Sequence, residues 1–413
     1  MIRLDKDTMA QHPAIRGVRP VSRAPRAVRA ALRTVPSVLR AVPSAVRVAL
    51  WAVPLALLAG CFQDLKQSTV HPATDSGRVI QEVYKMVTWI DTGIFILVAA
   101  LLAWTVWRFR ESNSPAGAIP KQVHGNPVLE LVWTIIPAVI LVFIAVPTWS
   151  GIFRGAEPPK GDIVKVQAIG HQWWWEFNYP GIGLVTANEL HVPAGKPVEI
   201  LTSSKDVIHA FWVPKLAGKM DAFPGRENLI WFTAPAVKPK AEDNVYYGQC
   251  AEFCSTSHAN MRFRVVVDSE ADFKAWVERT KKQQLAKTDE AKAGEKLFAE
   301  KFCITCHMIN GRPDAAGTIG PNLTNLKDRA SIASALIDNT PDNLAKWIKS
   351  PRDLKPGVLM CWPPAQPTSP DCGKLPVNDD DVKKLIAYLN SPSAGATANY
   401  YQAPAAVAAT GAK

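Results

Sequence analysis

Two apolar runs constrain this 413-residue chain before anything else does. Residues 86–107 (MVTWIDTGIFILVAALLAWTVW) carry one charge, Asp91, and residues 128–149 (VLELVWTIIPAVILVFIAVPTW) carry one, Glu130. Each run is long enough to cross a hydrocarbon core of roughly 30 Å as a helix. Arg108, Arg110 and Lys121 lie between them and put the connecting loop on the cytoplasmic side. The mature N-terminus and everything after 150 then lie outside. Trp104, Trp107, Trp133 and Trp149 suit the two interfaces. An acid near the start of a span is costly unless it faces protein or water. Glu130 is therefore either a functional residue or a side chain snorkelling to the interface.

The formal net charge of +11 would suit a nucleic-acid binder, but ten Lys and Arg against two Asp fall in residues 1–60. That segment carries +8 and leaves +3 for the rest, so the excess is an arm and no nucleic-acid partner is expected. Prolines at 13, 20, 25, 36 and 43 break any long helix in the arm, which reads as a disordered cytoplasmic n-region, with Met9 as an alternative start. Residues 48–59 (VALWAVPLALLA) are apolar and too short to span, which with the basic arm reads as a secretory signal. The run ends Leu58-Ala59-Gly60-Cys61, which resembles a bacterial lipobox. It implies cleavage before Cys61 and attachment of its sulfur to membrane lipid. The alternative is an ordinary signal peptide beside a free cysteine.

Outside the hairpin (61–155), residues 156–270 hold short β-rich runs between Gly and Pro turns: DIVKVQAI, WWWEFNY, PVEILTS, NLIWFTA, NVYYGQC and MRFRVVVD. Such spacing predicts a β-sandwich or barrel. Residues 271–290 read as a helical connector. Residues 291–391 read as a small all-α domain with helices in DEAKAGEKLFAEKF, around PDNLAKWIKS and in VNDDDVKKLIAYLN. Asp379 to Asp381 suit the positive end of the last of these. The Ala-, Gly- and Pro-rich tail, 392–413, reads as disordered.

Seven cysteines, each in a distinct context, point to an extracytoplasmic protein with redox cofactors. In CAEFCSTSHANM, residues 250–261, Cys250, Cys254, His258 and Met261 follow at spacings of four, four and three. Thiolates and a thioether favour copper, Cu(I) above all. His209, in SSKDVIHAFWVP about forty residues upstream, lies between an extended run and a turn, and a sandwich can bring two such loops to one end. Two His, two Cys, one Met and the Glu252 carbonyl would serve two copper ions bridged by both thiolates. Sharing the thiolates delocalises one electron, so little geometry changes on transfer. A Cys250–Cys254 disulfide leaves the His and Met without purpose, and zinc rarely takes Met. A mononuclear blue-copper site needs only one Cys.

Residues 80–275 resemble the CuA-bearing subunit II family of haem–copper cytochrome c oxidases. The matching stretches are LELVWTIIPA, GHQWWWEF, ANELHVPAGKPV, SSKDVIHAFWVPKLAGKMDAFPGR and YYGQCAEFC. The resemblance implies a transmembrane hairpin followed by a cupredoxin-like Greek-key β-sandwich. It implies that His209, Cys250, Glu252 through its carbonyl, Cys254, His258 and Met261 hold dinuclear copper. It further implies that Glu252 helps hold a magnesium ion at the boundary with subunit I, that electrons come in at Trp173, and that Glu130 stands at the mouth of a proton path. Trp174 and Trp175 read as core aromatics. Ser255 stands where many members have Gly; both are small, so no loss of copper is expected. The longer charged turn VKPKAEDN before the loop is a second departure.

Cys303-Ile304-Thr305-Cys306-His307 is a C-x-x-C-H haem-attachment motif. Its thiols add to the haem vinyl groups and His307 becomes the proximal ligand. Met360 is the expected sixth ligand, which raises the potential; Met308 adjoins His307 and cannot reach the opposite face. The segment resembles small class I cytochromes c. That resemblance implies a contact of Gly294 and Phe298 with Tyr388, and a Pro321 carbonyl that orients the imidazole. Cys361 stands where Pro usually follows the ligand Met. With Cys372 it frames WPPAQPTSPD, and a disulfide closing this loop contributes ~3 kcal/mol in the chain-entropy model. Two free thiols are the alternative, disfavoured outside the cytoplasm.

Together these resemblances imply the electron-input subunit of a respiratory cytochrome c oxidase in the bacterial inner membrane, with subunits I and III as partners. Cytochrome c or a cytochrome-containing quinol-oxidising complex would be the donor. Fusion sets the haem donor at roughly millimolar effective concentration. A CuA-bearing subunit of a nitric oxide reductase is the alternative, against which the two spans and Glu130 weigh. A stand-alone copper-binding lipoprotein leaves the haem segment and the spans unexplained. A quinol-oxidase subunit lacks the copper cysteines.

Overall fold

The computed structural model describes residues 64–110, 125–282, 284–360 and 375–392. The expected signal segment with Cys61, the cysteines Cys361 and Cys372 expected to pair, and the tail beyond 392 lie outside the described residues.

Two long apolar helices come first, α1 (Asp75–Arg108) and α2 (Pro127–Ala156). Thr74 caps α1 by accepting from Gly77 N at 3.0 Å. Asn126 caps α2 by accepting from Val128 N and Leu129 N, with Pro127 in the first turn. At ~1.5 Å per residue α1 is longer than a ~30 Å hydrocarbon core requires. It begins at Asp75, well before the apolar run at Met86, because its first turn is built against the next domain. Ala73 N donates to Lys215 O at 2.8 Å, the Thr74 hydroxyl donates to Leu216 O, and a Cβ on Gly77 would lie 2.7 Å from Pro72. Pro137 and Pro147 sit inside α2, none of whose side chains is buried. Such a surface suits lipid or other subunits.

Ten strands follow: β1 (Val164–His171), β2 (Trp174–Tyr179), β3 (Leu184–Ala187), β4 (Glu189–Pro193), β5 (Pro197–Ser204), β6 (His209–Trp212), β7 (Lys219–Ala222), β8 (Asn228–Thr233), β9 (Val245–Cys250) and β10 (Arg262–Asp268). They form two five-stranded sheets, ordered β3-β2-β1-β5-β8 and β4-β10-β9-β6-β7. β1 with β5 and β4 with β10 run parallel; the other pairs are antiparallel. This is the expected cupredoxin-like sandwich. Period-two burial drives it: Trp175, Phe177 and Tyr179 of β2 are fully buried while Glu176 and Asn178 are not. Trp175 meets Phe211 edge to face at 5.7 Å, and Phe211 stacks on Phe263 at 4.7 Å across the core. The β6–β9 register pairs Phe211 with Cys250, which brings His209 and the loop after β9 to one end.

The connector expected over 271–290 is helical only in part. Helix α3 (Glu270–Lys281) ends at Lys281, and Phe273, Trp276 and Val277 are buried in the sandwich core. Their i, i+3, i+4 spacing makes one apolar stripe, so this helix covers the sandwich rather than bridging. A second core belongs to α4 (Asp289–Glu300), the short strands β11 (Ser331–Ile332) and β12 (Ile337–Asp338), α5 (Pro341–Lys349), the single turn α6 (Pro351–Leu354) and α7 (Asp379–Leu389). Asn378 and Asp381 close a capping box on α7. α4 crosses α7 at Gly294, where a Cβ would lie 1.9 Å from Lys384 O, and Phe298 meets Tyr388 at 5.7 Å.

Candidate metal and haem centres

Beyond β9 the chain folds back so that the sulfur and nitrogen atoms of one loop face each other. Cys250 Sγ lies 3.8 Å from Cys254 Sγ, 3.8 Å from His209 Nδ1 and 3.2 Å from Glu252 O. Cys254 Sγ lies 3.6 Å from His258 Nδ1 and 3.9 Å from Met261 Sδ. All six expected donors are therefore linked in one cluster, with His209, Cys250, Cys254 and Met261 buried and Glu252 and His258 half-buried at its edge. The two sulfurs are far beyond the ~2.05 Å of a disulfide. Their spacing is compatible with ions held by both at the ~2.3 Å of a metal–thiolate bond. Five soft or borderline side-chain donors and one carbonyl suit copper better than a hard cation.

The surroundings hold that cluster in place. Asp206 Oδ1 lies 2.7 Å from His209 Nε2 and fixes the ring so that Nδ1 faces Cys250. Gln172 N and Val207 N each donate to the same carboxylate at 2.6 Å. A Cβ on Gly170 would lie 2.5 Å from the His209 ring, so only glycine leaves room for it there. The hydrogen bond from Cys254 pulls the Cys250 thiol down against the effect of burial. The same bond, with burial, pushes Cys254 up. Ser255 has φ +83°, a left-handed conformation, so its departure from glycine costs backbone energy rather than space.

The helical domain offers a void instead of a cluster. Two adjoining cavities of about 860 and 930 Å³, open mouths included, share Lys301, Cys303, His307, Trp347, Met360 and Leu375 in their walls. Cys306 lines the larger. His307 Nδ1 donates to Pro321 O at 2.8 Å, which leaves Nε2 for a metal. Burial pushes the imidazole's pKa down, toward the neutral ligand form. A Cβ on Gly320 would lie 2.6 Å from that ring. Paired thiols, a neutral imidazole and a thioether around a large apolar void fit a covalently held haem.

Trp173 lies between the two centres. Its Nε1 donates to Cys254 O at 2.8 Å, while its side chain lines the larger cavity beside Cys306 and His307. Only 6% of it is exposed. Trp174 lines the same cavity and stacks on His171 at 4.1 Å, and Trp175 belongs to the core. Glu130 stands exposed in the first turn of α2, apart from these centres. Among the described residues the one tight group of three His, Cys, Asp or Glu is His209, Cys250 and Cys254, so the Glu252 carboxylate joins no other. Sequence reasoning passed over Asp206, although an acid three residues before a ligand His is a usable signal. It also passed over Arg329, half-buried in the wall of the smaller cavity, whose pKa is pushed down by desolvation.

Residues 67–150 match the cytochrome c oxidase subunit II transmembrane domain, 182–269 its periplasmic domain, and 291–393 cytochrome c. The chain is 35% identical to cytochrome c oxidase subunit 2 of Alkalihalophilus pseudofirmus over 340 residues, 81% of this chain and 93% of the relative. It is 35% identical to cytochrome c oxidase subunit 2 of Bacillus subtilis over 349 residues, again 81% and 93%. Among solved structures, the periplasmic domain of cytochrome oxidase subunit II of Bradyrhizobium japonicum is 34% identical. The match covers 29% of this chain and 94% of that one, with a TM-score of 0.27.

Proposed function

The chain belongs to the cytochrome c oxidase subunit II family and carries a cytochrome c domain behind it, and from that premise we propose that it is the electron-input subunit of a respiratory oxidase. In this reading electrons pass from cytochrome c, or from a cytochrome-containing quinol-oxidising complex, by way of haem c and dinuclear copper to subunit I, where oxygen becomes water. The complex sits in the bacterial inner membrane with subunits I and III, and both redox domains lie outside.

The observation that carries the proposal is the meeting of six copper-type donors around Cys250 and Cys254, next to a C-x-x-C-H cavity. His209, Cys250, Glu252, Cys254, His258 and Met261 would hold the coppers, and Cys303, Cys306, His307 and Met360 the haem. Bound there, each group supplies reversible one-electron chemistry. The protein's own part is orientation. Asp206 fixes one imidazole and the Pro321 carbonyl another, so neither ring turns when charge changes. Arg329, in the wall of the smaller cavity, would supply a positive charge to that site. Trp173 is covered, which supports a role between the two centres rather than as the landing point of a diffusing donor. Glu130 keeps its proposed place at the mouth of a proton path.

Oxygen uptake by the purified complex with reduced cytochrome c tests this reading. Four-electron turnover of oxygen supports it. Turnover of nitric oxide alone, or a chain that purifies as a free copper protein, contradicts it.

A further inference from the structure

Lys355 is 2% exposed, and among the described residues no carboxylate pairs with it. A buried ammonium without an acid is costly, and a methionine of similar volume would be cheaper. Burial accordingly pulls its pKa down to about 7. Its three acceptors come from two domains. Nζ donates to Trp173 O of the sandwich at 2.5 Å, and to Ser334 Oγ at 2.8 Å and Ala333 O at 3.4 Å of the helical domain. The Ser334 hydroxyl donates to the same Trp173 carbonyl at 2.8 Å.

The turn that meets this lysine is strained. Ala333, Ser334 and Ala335 are consecutive non-glycine residues with φ of +56°, +63° and +56°. Each is disfavoured in the left-handed region, and such turns persist only where their surroundings over-determine them. Beyond Lys355 the chain closes on the same tryptophan: a Cβ on Gly357 would lie 2.8 Å from the Trp173 ring, and the Ser257 hydroxyl donates to Pro356 O at 2.5 Å. A second buried anchor stands at Glu189, whose Oε1 accepts from Ala330 N, Ser331 N and Ser331 Oγ at 3.0 to 3.3 Å.

We infer that Lys355 is a positioning residue that pins the left-handed turn 333–335 to the Trp173 backbone and so fixes the indole between the thiolate loop and the haem cavity. The cytochrome domain is thereby docked rather than swinging on its tether. The inference rests on the relay reading for its purpose but not for its geometry.

Hydrogen exchange on the full chain in its purified complex compares the native protein with Lys355→Met, which keeps the volume and removes the donors. Amides in 172–175 and 330–336 should exchange at least about tenfold faster, the scale of losing hydrogen bonds to a charged group. Strands β5 and β10 and helices α4 and α7 should keep native protection. In the same variant kcat with reduced external cytochrome c should fall several-fold while KM holds, because the donor's landing surface is untouched. Native exchange in both segments overturns the inference. So does a uniform loss of protection, which would make Lys355 an ordinary core residue. If the variant does not accumulate, Ser334→Ala carries the comparison: faster exchange at 172–175 supports the pin and native exchange overturns it. A native chain without copper or haem would instead sink the relay reading and leave the exchange result standing.

Discussion

The thiolate loop and the haem cavity solve the same problem in opposite ways. Around Cys250 and Cys254 the donors touch one another, and the fold packs them as it packs a core: His209 on β6 and the loop after β9 meet through strand register. Around His307 the protein surrounds a void, and only the imidazole is fixed, by the Pro321 carbonyl and the space above Gly320. A small centre is thus assembled by side-chain contact, whereas a large one is assembled by leaving room. The thiolate loop should respond to changes in donor atoms and the cavity to changes in volume.

The largest effect expected is from Cys254→Ser. Copper should fall below two ions per chain and turnover by more than the ~10–100-fold expected from losing a residue that only orients a ligand, while covalent haem stays at one per chain by absorbance. Loss of both cofactors together would break the comparison, because the two regions would then not assemble independently. Asp206→Asn should weaken copper by about 10–100-fold in a competitive chelator titration, with two ions still bound at saturation. A native affinity would mean that packing alone orients His209. Gly320→Ala drives a methyl into the imidazole and should cost about 1–3 kcal/mol in a melt followed at the haem band, with the copper band unmoved. Smallest, Ser255→Gly should stabilise the copper loop by about 1 kcal/mol in a denaturant melt followed at the copper band. A destabilised loop there would mean that the hydroxyl matters more than the backbone.

Local chemistry was legible in the sequence, and long-range packing was not. The C-x-x-C-H motif, the loop from Cys250 to Met261 and the two apolar runs each announce themselves within a few residues. The ends of the elements do not. Hydropathy stops at Met86, but α1 continues back to Asp75 because Ala73 and Thr74 dock on Lys215 and Leu216, a contact no local pattern encodes. The stripe of Phe273, Trp276 and Val277 was readable as an apolar helix face, yet its partner lies in strands nearly a hundred residues earlier. Lys355 is the extreme case. On its own it is one more lysine in a basic chain, and its role depends on a carbonyl 182 positions away.

The most direct test of the account is the copper hyperfine pattern in the EPR spectrum of the oxidised full chain, with copper and covalent haem assayed on the same sample. One unpaired electron shared equally by two copper nuclei, and two coppers for every haem, is the expected result. A single-copper pattern, or one copper per haem, would contradict it.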